Sequence, residues 1–376
     1  MNKAIFERKT LLDALKRGGV SATTNGTVPI LENVKITADG EGVKITSSNL
    51  QTETNVFCKA EQMPLDYNID VCVNAKTITD IMQSVNDYNI TLEFGENQLK
   101  VCYGAGVMTI PTLPTDEFPS MAKTEEPKAV FEIDNATLRY IVNSAQPFAG
   151  KDELRPNMMG VYMGVKEDNT IEYCATDAHR LICETVNIGN FVGEPFEMIV
   201  PSEASKSIVN AAQDEGSAVI RKFDGSISVT TDACTLTTVL REGKYPNFHN
   251  IIPQPDSVNH IFRVRRNDIT NALKRMMTMM SITTYSIRLN FGEGGLEMSA
   301  EDLDYGKSGV EKMAAERIQG DNITIGFNGV FLSACLGETE SEFVKIRMTA
   351  PSRAMVVEDE TRPQKTVLLM PITLNY

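Results

Sequence analysis

The sequence predicts an α+β protein made of three repeated domains, each with two helices packed on antiparallel sheets. Two observations predict it. A strand-to-helix junction recurs at a pitch of 127 residues, and the stretches between its copies are short β-rich runs broken by turn residues. That period is far longer than the period of a stacked solenoid, so each copy is a whole domain and not one layer of a stack.

The first helix of each domain follows a short strand. Residues 4–6 lead into the stripe Leu11, Ala14, Leu15, Gly18. Residues 131–133 lead into Leu138, Ile141, Val142, Ala145, and residues 262–264 into Ile269, Ala272, Leu273, Met276. The i, i+3, i+4, i+7 spacing gathers four apolar positions on one helix face. The first two stripes are 127 residues apart and the third follows after a further 131. Residues 34–37 and 43–46 flank Asp39-Gly40 and read as a hairpin, since Asp-Gly supplies the positive φ of a tight turn.

The second helix opens at Val73-Asn74-Ala75-Lys76, at Val200-Pro201-Ser202-Glu203 and at Phe327-Asn328-Gly329-Val330, each 127 residues from the last. Its stripe Ile78, Ile81, Met82, Val85 becomes Ser205, Ile208, Val209, Ala212 and then Leu332, Cys335, Leu336, Thr339, with the centres kept and the ends weaker. Phe118-Pro119 returns as Tyr245-Pro246, and Ile45-Thr46-Ser47-Ser48-Asn49-Leu50 returns loosely at Cys174 to Ala178 and more closely at Met298 to Leu303. The polar, proline-containing stretches 123–127 and 253–257 read as linkers, which sets the domains at 1–125, 126–254 and 255–376.

Composition narrows the function classes. The net charge of −14, from 36 Lys and Arg against 50 Asp and Glu, argues by itself against a simple nucleic-acid binder. Its distribution argues otherwise. The first helices carry Lys9, Lys16 and Arg17, then Arg139, then Arg265, Arg266, Lys274 and Arg275, while Lys76 and Lys206 open the second set. Bases recurring at equivalent places suggest one positive surface assembled from repeats, able to neutralise phosphates without reading bases. Any single one of them can equally be a solvated helix face. If helices about 10 Å wide lined a circle, six would leave roughly 9 Å clear and twelve roughly 28 Å. A duplex is roughly 20 Å across, so only a two-copy ring would admit it.

Seven cysteines without a CxxC pair read as reduced thiols in a cytoplasmic protein, and three histidines at no ligand spacing argue against a structural zinc. No apolar run is long enough to span a membrane, and the N-terminus lacks a secretory h-region. No cofactor is expected. Gly104-Ala105-Gly106 lacks the third glycine of a dinucleotide fingerprint, and neither a P-loop nor GxSxG occurs. The acidic run Glu301-Asp302-Leu303-Asp304 resembles the carboxylate cluster of a metal-dependent nucleic-acid enzyme, but it falls on a repeated turn. A β-rich scaffold that binds peptides without DNA is the other alternative.

Three motifs carry a family resemblance. Ala175-Thr176-Asp177-Ala178-His179-Arg180-Leu181 resembles the A-T-D-G-H-R-L signature of the β subunit of bacterial DNA polymerase III. Tyr245-Pro246-Asn247-Phe248-His249-Asn250-Ile251-Ile252-Pro253 and Leu368-Leu369-Met370-Pro371-Ile372 resemble two further segments of that family, and the likeness spans the chain. The resemblance implies a sliding clamp, a homodimeric ring of six similar domains that encircles double-stranded DNA as a processivity factor and is not an enzyme. The partners it implies are the polymerase III α subunit, the clamp loader, and other polymerases and repair proteins that carry clamp-binding peptides.

The resemblance also implies residues. The partner-peptide pocket would be Arg155, Met158, Thr176, Ala178, His179, Arg180, Leu181, Pro246, Ile251, Leu368, Met370, Pro371 and Ile372. DNA would meet Asn25, Lys76, Lys151, Pro156, Asn157, Arg139, Arg266 and Lys274, and the subunit seam would involve Met108, Ile110, Thr278 and Met279. The chain departs from the family in four places. Ala178 stands where the family has Gly, Pro156-Asn157 replaces an aromatic pair, Asn25 replaces a base, and Asn375-Tyr376 extends the end.

Overall fold

The six α-helices of the described residues each follow a strand, five directly and one through a 3-10 turn. The computed structural model describes residues 2–24, 26–63, 69–104, 106–121 and 125–374, so Asn25, part of the first linker and the Asn375-Tyr376 extension lie outside the described residues. Strands Asn2–Glu7, Ala129–Asp134 and His260–Arg265 lead directly into helices α1 (Arg8–Gly18), α3 (Asn135–Ala145) and α5 (Arg266–Met276). Strands Asp70–Asn74 and Ile323–Asn328 lead into α2 (Ala75–Ser84) and α6 (Gly329–Gly337). Strand Phe196–Pro201 reaches the short α4 (Ser205–Ala211) through one 3-10 turn. The Asn at two of these junctions caps its helix. Asn74 accepts from the Thr77 N–H at 2.9 Å, and Asn328 from those of Val330 and Phe331 at 2.9 and 3.2 Å.

All three stripes of the first helices are buried, and so are the ends of the second-helix stripes at Val85, Ala212 and Thr339. Ile81 and Val209 stay only half-buried, because they flank the contact line. No helix of the described residues is long and apolar enough to cross a membrane.

The chain forms two compact units. The first comprises Met1–Val142, Ile188–Pro195 and Glu203–Leu240, and the second Asn143–Asn187, Phe196–Ser202 and Arg241–Tyr376. Both run through the middle sequence repeat, because hydrogen-bonded ladders cross the repeat boundaries. In the first unit, strand Thr52–Lys59 pairs antiparallel with Thr235–Val239 and joins a thirteen-stranded sheet. In the second, Arg180–Asn187 pairs with Thr366–Leu369 inside a nine-stranded sheet, and a separate four-stranded sheet completes the unit. The hairpin around Asp39-Gly40 forms as expected, with Gly40 at φ 56°.

The basic helix faces need correction. Arg17 is buried, donating to Asp13 at 2.8 Å and to Asp214 at 2.6 and 3.0 Å. Arg263 is held by Glu360, Arg265 by Glu342 and Arg275 by Glu311. Only Arg17 is withdrawn from the helix face; Arg265 and Arg275 are exposed but ion-paired, and Lys9, Lys16, Lys76, Lys206 and Lys274 are exposed too.

Candidate functional site

A constellation of polar and aromatic groups is built on a turn in the second unit. Strands Thr170–Thr176 and Arg180–Asn187 are joined through Asp177, Ala178 and His179. The Asp177 carboxylate accepts from the N–H of His179 at 3.0 Å and of Arg180 at 2.9 Å, and from Arg180 Nε at 3.0 Å. The Thr176 hydroxyl donates to the Arg180 carbonyl at 2.7 Å and accepts from the Ala178 N–H at 3.1 Å. These bonds hold Ala178 at φ 71°, a left-handed conformation that costs a residue with a Cβ about 1 kcal/mol or more.

The turn exposes His179 and draws Arg180 inward. The Arg180 guanidinium lies 5.0 Å from the Phe148 ring centre and 4.6 Å from that of Phe331, and donates to the Pro147 carbonyl at 2.7 Å. The His179 ring stacks on Phe331 at 5.8 Å. Phe331 arrives from the first turn of α6, oriented by the Asn328 cap. The opposite wall is the segment 149–158. Its Gly150 N–H donates to the Met158 carbonyl at 2.8 Å, and Arg155 pairs with Asp152 at 3.6 Å. Between the walls is a cleft of about 390 Å³, lined by Lys151, Arg155, Met158, His179, Arg180 and Phe331 among others.

The C-terminal segment runs back against the turn. Met370 donates its N–H to the His179 carbonyl at 2.7 Å, and Ile372 donates to Gly326 at 2.9 Å. Met370 is left 39% exposed, Pro371 and Ile372 half-buried. Beneath lies an apolar cluster that includes Tyr162, Cys174, Leu181, Tyr245, Phe248 and Leu368, with Ile252 packed against it. The buried Tyr245 hydroxyl accepts from the Thr176 N–H at 3.0 Å; burial, then the neighbouring Cys174, pushes its pKa well up, so it stays neutral. Burial likewise raises the Cys183 thiol to about 12.

The structure therefore brings Arg155, Met158, His179 and Arg180 to the cleft and Thr176 and Ala178 to its turn. Leu181 and Leu368 lie in the core below, and Met370 to Ile372 on the returning segment. Pro246 is half-buried beside Tyr245, and Ile251 is 49% exposed at the end of the turn Phe248–Ile251. Phe331 and Phe148 were missed by sequence reasoning. Neither belongs to a motif, and the 127-residue pitch relates Phe331 to an alanine, Ala204. Chemically, aromatic and thioether walls suit apolar side chains of an extended segment, and Lys151, Arg155 and His179 at the rim can donate to its carbonyls.

The other expected contacts are dispersed. Lys151 is placed on the cleft wall. Lys76, Pro156 and Lys274 are exposed, and Asn157 donates to the Lys244 carbonyl at 2.8 Å. Arg139 donates to the carbonyls of Ala212 and Asp214 beyond α4, and Arg266 to Thr339 at 3.3 Å. Strand Gly106–Leu113 pairs along 106–111 with Gln98–Tyr103, while its other neighbour, Asp70–Asn74, pairs only at 112–113. That edge carries Val107 and Met108, 57% and 45% exposed, whereas Ile110 is buried in its own sheet. Strand Lys307–Met313 ends the four-stranded sheet; Met276 and Met279 pack over its Gly309, and Thr278 is exposed. Asp302 is buried while Glu301 and Asp304 are exposed, and the described residues hold no group of three or more His, Cys, Asp or Glu arranged to bind a metal.

Models of the DNA polymerase III beta subunit match the chain in three successive stretches: the N-terminal domain at residues 2–122, the central domain at 132–247 and the C-terminal domain at 250–373. The beta sliding clamp of Pseudomonas putida is 24% identical over 372 residues, covering 98% of this chain and 99% of that protein. The beta sliding clamp of Streptococcus pneumoniae is 23% identical over 385 residues, covering 100% and 99%. In fold, the chain is similar to the DNA polymerase III beta subunit of Thermotoga maritima, with a TM-score of 0.92, 21% identity and full coverage of both chains.

Proposed function

This chain belongs to the DNA polymerase III beta subunit family, and on that premise we propose that it is a sliding clamp, a processivity factor that encircles duplex DNA and keeps a polymerase on its template. The observation that carries this reading is the ordered succession of N-terminal, central and C-terminal domain matches between residue 2 and residue 373. On this reading the domains are 1–125, 126–254 and 255–376, and two copies close a six-domain ring. The open edge at Val107 and Met108 of one copy would meet the edge strand Lys307–Met313 of the next, with Met279 and Thr278 beside it. Two unpaired strand edges with exposed apolar side chains favour such a head-to-tail contact.

Phosphates would be met by scattered lysines such as Lys76 and Lys274, with no base reading. A topological tether needs only a weakly attractive lining, which reconciles DNA binding with a net charge of −14. The cleft at His179, Arg180, Phe331 and Met370 would hold the apolar anchors of linear peptides from the polymerase III α subunit, the clamp loader and other polymerases and repair proteins. The chain itself would catalyse nothing, and it would work in the cytoplasm, where its seven unpaired thiols stay reduced.

The test is topological. Protein loaded on circular DNA by a clamp loader with ATP should remain bound until the circle is cut, and its native mass should be twice 41.5 kDa. Prompt release from intact circles, or a stable single-copy mass, would overturn the reading.

A further inference from the structure

The seam between strands Thr52–Lys59 and Thr235–Val239 in the first unit repeats the turn and backbone bonds of the seam under the peptide cleft in the second. Asn49 Oδ1 accepts from the N–H groups of Gln51 at 3.0 Å and Thr52 at 2.7 Å, as Asp177 does from His179 and Arg180. Leu50 sits at φ 72° and Ala178 at 71°. The Gln51 carbonyl accepts from the Val239 N–H at 2.8 Å, as His179 accepts from Met370. The registers agree too: Thr46 faces Asn55 where Cys174 faces Cys183, and Glu53 faces Thr237 where Leu181 faces Leu368.

The frame is shared and the chemistry is inverted. In the second unit the floor is apolar and filled by Tyr162, Tyr245 and Phe248. In the first, Lys35 and Phe118 stand at the repeat-equivalent places of Tyr162 and Tyr245, and a cavity of about 390 Å³ remains. Glu53, buried on its wall, is already satisfied by Asn55 Nδ2 and the Met121 N–H, both at 2.8 Å. The ammonium of Lys44 is exposed at the wall, that of Lys35 is 3.4 Å from Asp70, and Ser228, Thr235 and Thr237 add hydroxyls.

We propose that this cavity is a second docking site, which takes an acidic, hydroxyl-bearing stretch of an extended polypeptide. An apolar anchor would strip water from Glu53, Asn55 and the hydroxyls without replacing their bonds. A cationic one would meet two lysines and a carboxylate already engaged. A carboxylate meets the exposed Lys44 directly and can share Lys35 with Asp70, and hydroxyl donors on the wall complete its shell.

The probe is a fluorescein-labelled peptide of alternating Asp and Ser, titrated into the full-length protein at low salt and followed by anisotropy. Saturable binding that weakens with added salt is expected. Lys44→Glu, a charge reversal at an exposed site, should weaken it about threefold to tenfold. Thr237→Leu, which supplies the leucine found at Leu368, should do the same, and Phe331→Ala in the apolar cleft should leave it unchanged. No saturable binding, equal affinity in Lys44→Glu, or loss in Phe331→Ala would each overturn the proposal. Since no DNA is present, failure here leaves the clamp reading standing, and failure of the topological test leaves this site standing.

Discussion

Truncation after Leu369 separates the cleft from the rest of the fold. It removes two backbone hydrogen bonds, Met370 to His179 at 2.7 Å and Ile372 to Gly326 at 2.9 Å, and the cover that Leu374 and Ile372 place over Gly326. At about 1 kcal/mol for each bond, plus the half-buried side chains, the lost stability is about 3–4 kcal/mol. Much of that is local, because the strand Thr366–Leu369 keeps its pairing with Arg180–Asn187 and with Met355–Asp359. The effect on a bound peptide follows from area. Met370, Pro371 and Ile372 together would offer roughly 100 Å² of apolar contact, worth about 2.5 kcal/mol at 25 cal/mol per Å². That is a weakening of about 70-fold. The assay is fluorescence anisotropy with a labelled peptide carrying Leu and Phe anchors, alongside native mass and a thermal melt. Peptide binding should fall by about that factor while the mass stays at two copies. Undiminished affinity in a folded truncation would refute the assignment of the C-terminal segment to the cleft. Loss of the two-copy mass would refute its independence from the subunit seam.

Three further outcomes are expected. Ala178→Gly should relieve the left-handed strain, less the extra freedom of glycine in the unfolded chain, for a net gain of about 0.5 kcal/mol; a melting temperature that falls in calorimetry would contradict it. Burial pushes the Asp359 carboxyl up, but bonds from the N–H groups of Glu340, Thr361 and Ser341 outweigh it and hold the pKa well below the usual range. Because the folded pKa is depressed, this stabilisation is present above the unfolded value of about 4 and is lost as pH falls below it. Urea midpoints should drop from pH 6 to pH 3 more steeply in the parent than in Asp359→Asn, and parallel curves would show the bonds contribute nothing. Met108→Lys places a charge on the exposed edge of Gly106–Leu113 and should halve the native mass, which sedimentation reads directly.

The cleft shows how a small local motif does a large job. Asp177 spends its carboxylate on a three-residue turn, and that turn aims Arg180 between two aromatic rings from distant parts of the chain. The partly buried guanidinium is satisfied by Asp177 and Pro147, so it stiffens the cleft wall. Lys151 and His179 stand at the cleft for an incoming backbone, beside Arg155 in its pair with Asp152.

The amino-acid sequence by itself determined the repeated architecture. Stripes such as Leu138, Ile141, Val142, Ala145 are local statements about which face must leave water, and a pitch of 127 residues repeats them. It also determined the turn at Asp177, because an Asx turn is closed by neighbours in the chain. Tertiary structure decided which cations were free. Arg17 looks like any helix-surface base until Asp214 is brought beside it, and Lys16, one residue earlier, stays exposed. It decided that the compact units cut through the middle repeat, because strand pairing between Arg180–Asn187 and Thr366–Leu369 depends on register and not on composition. And it decided that Phe331 belongs to the cleft. Periodicity reports how much a residue should be buried; only long-range packing chooses the partner it is buried against.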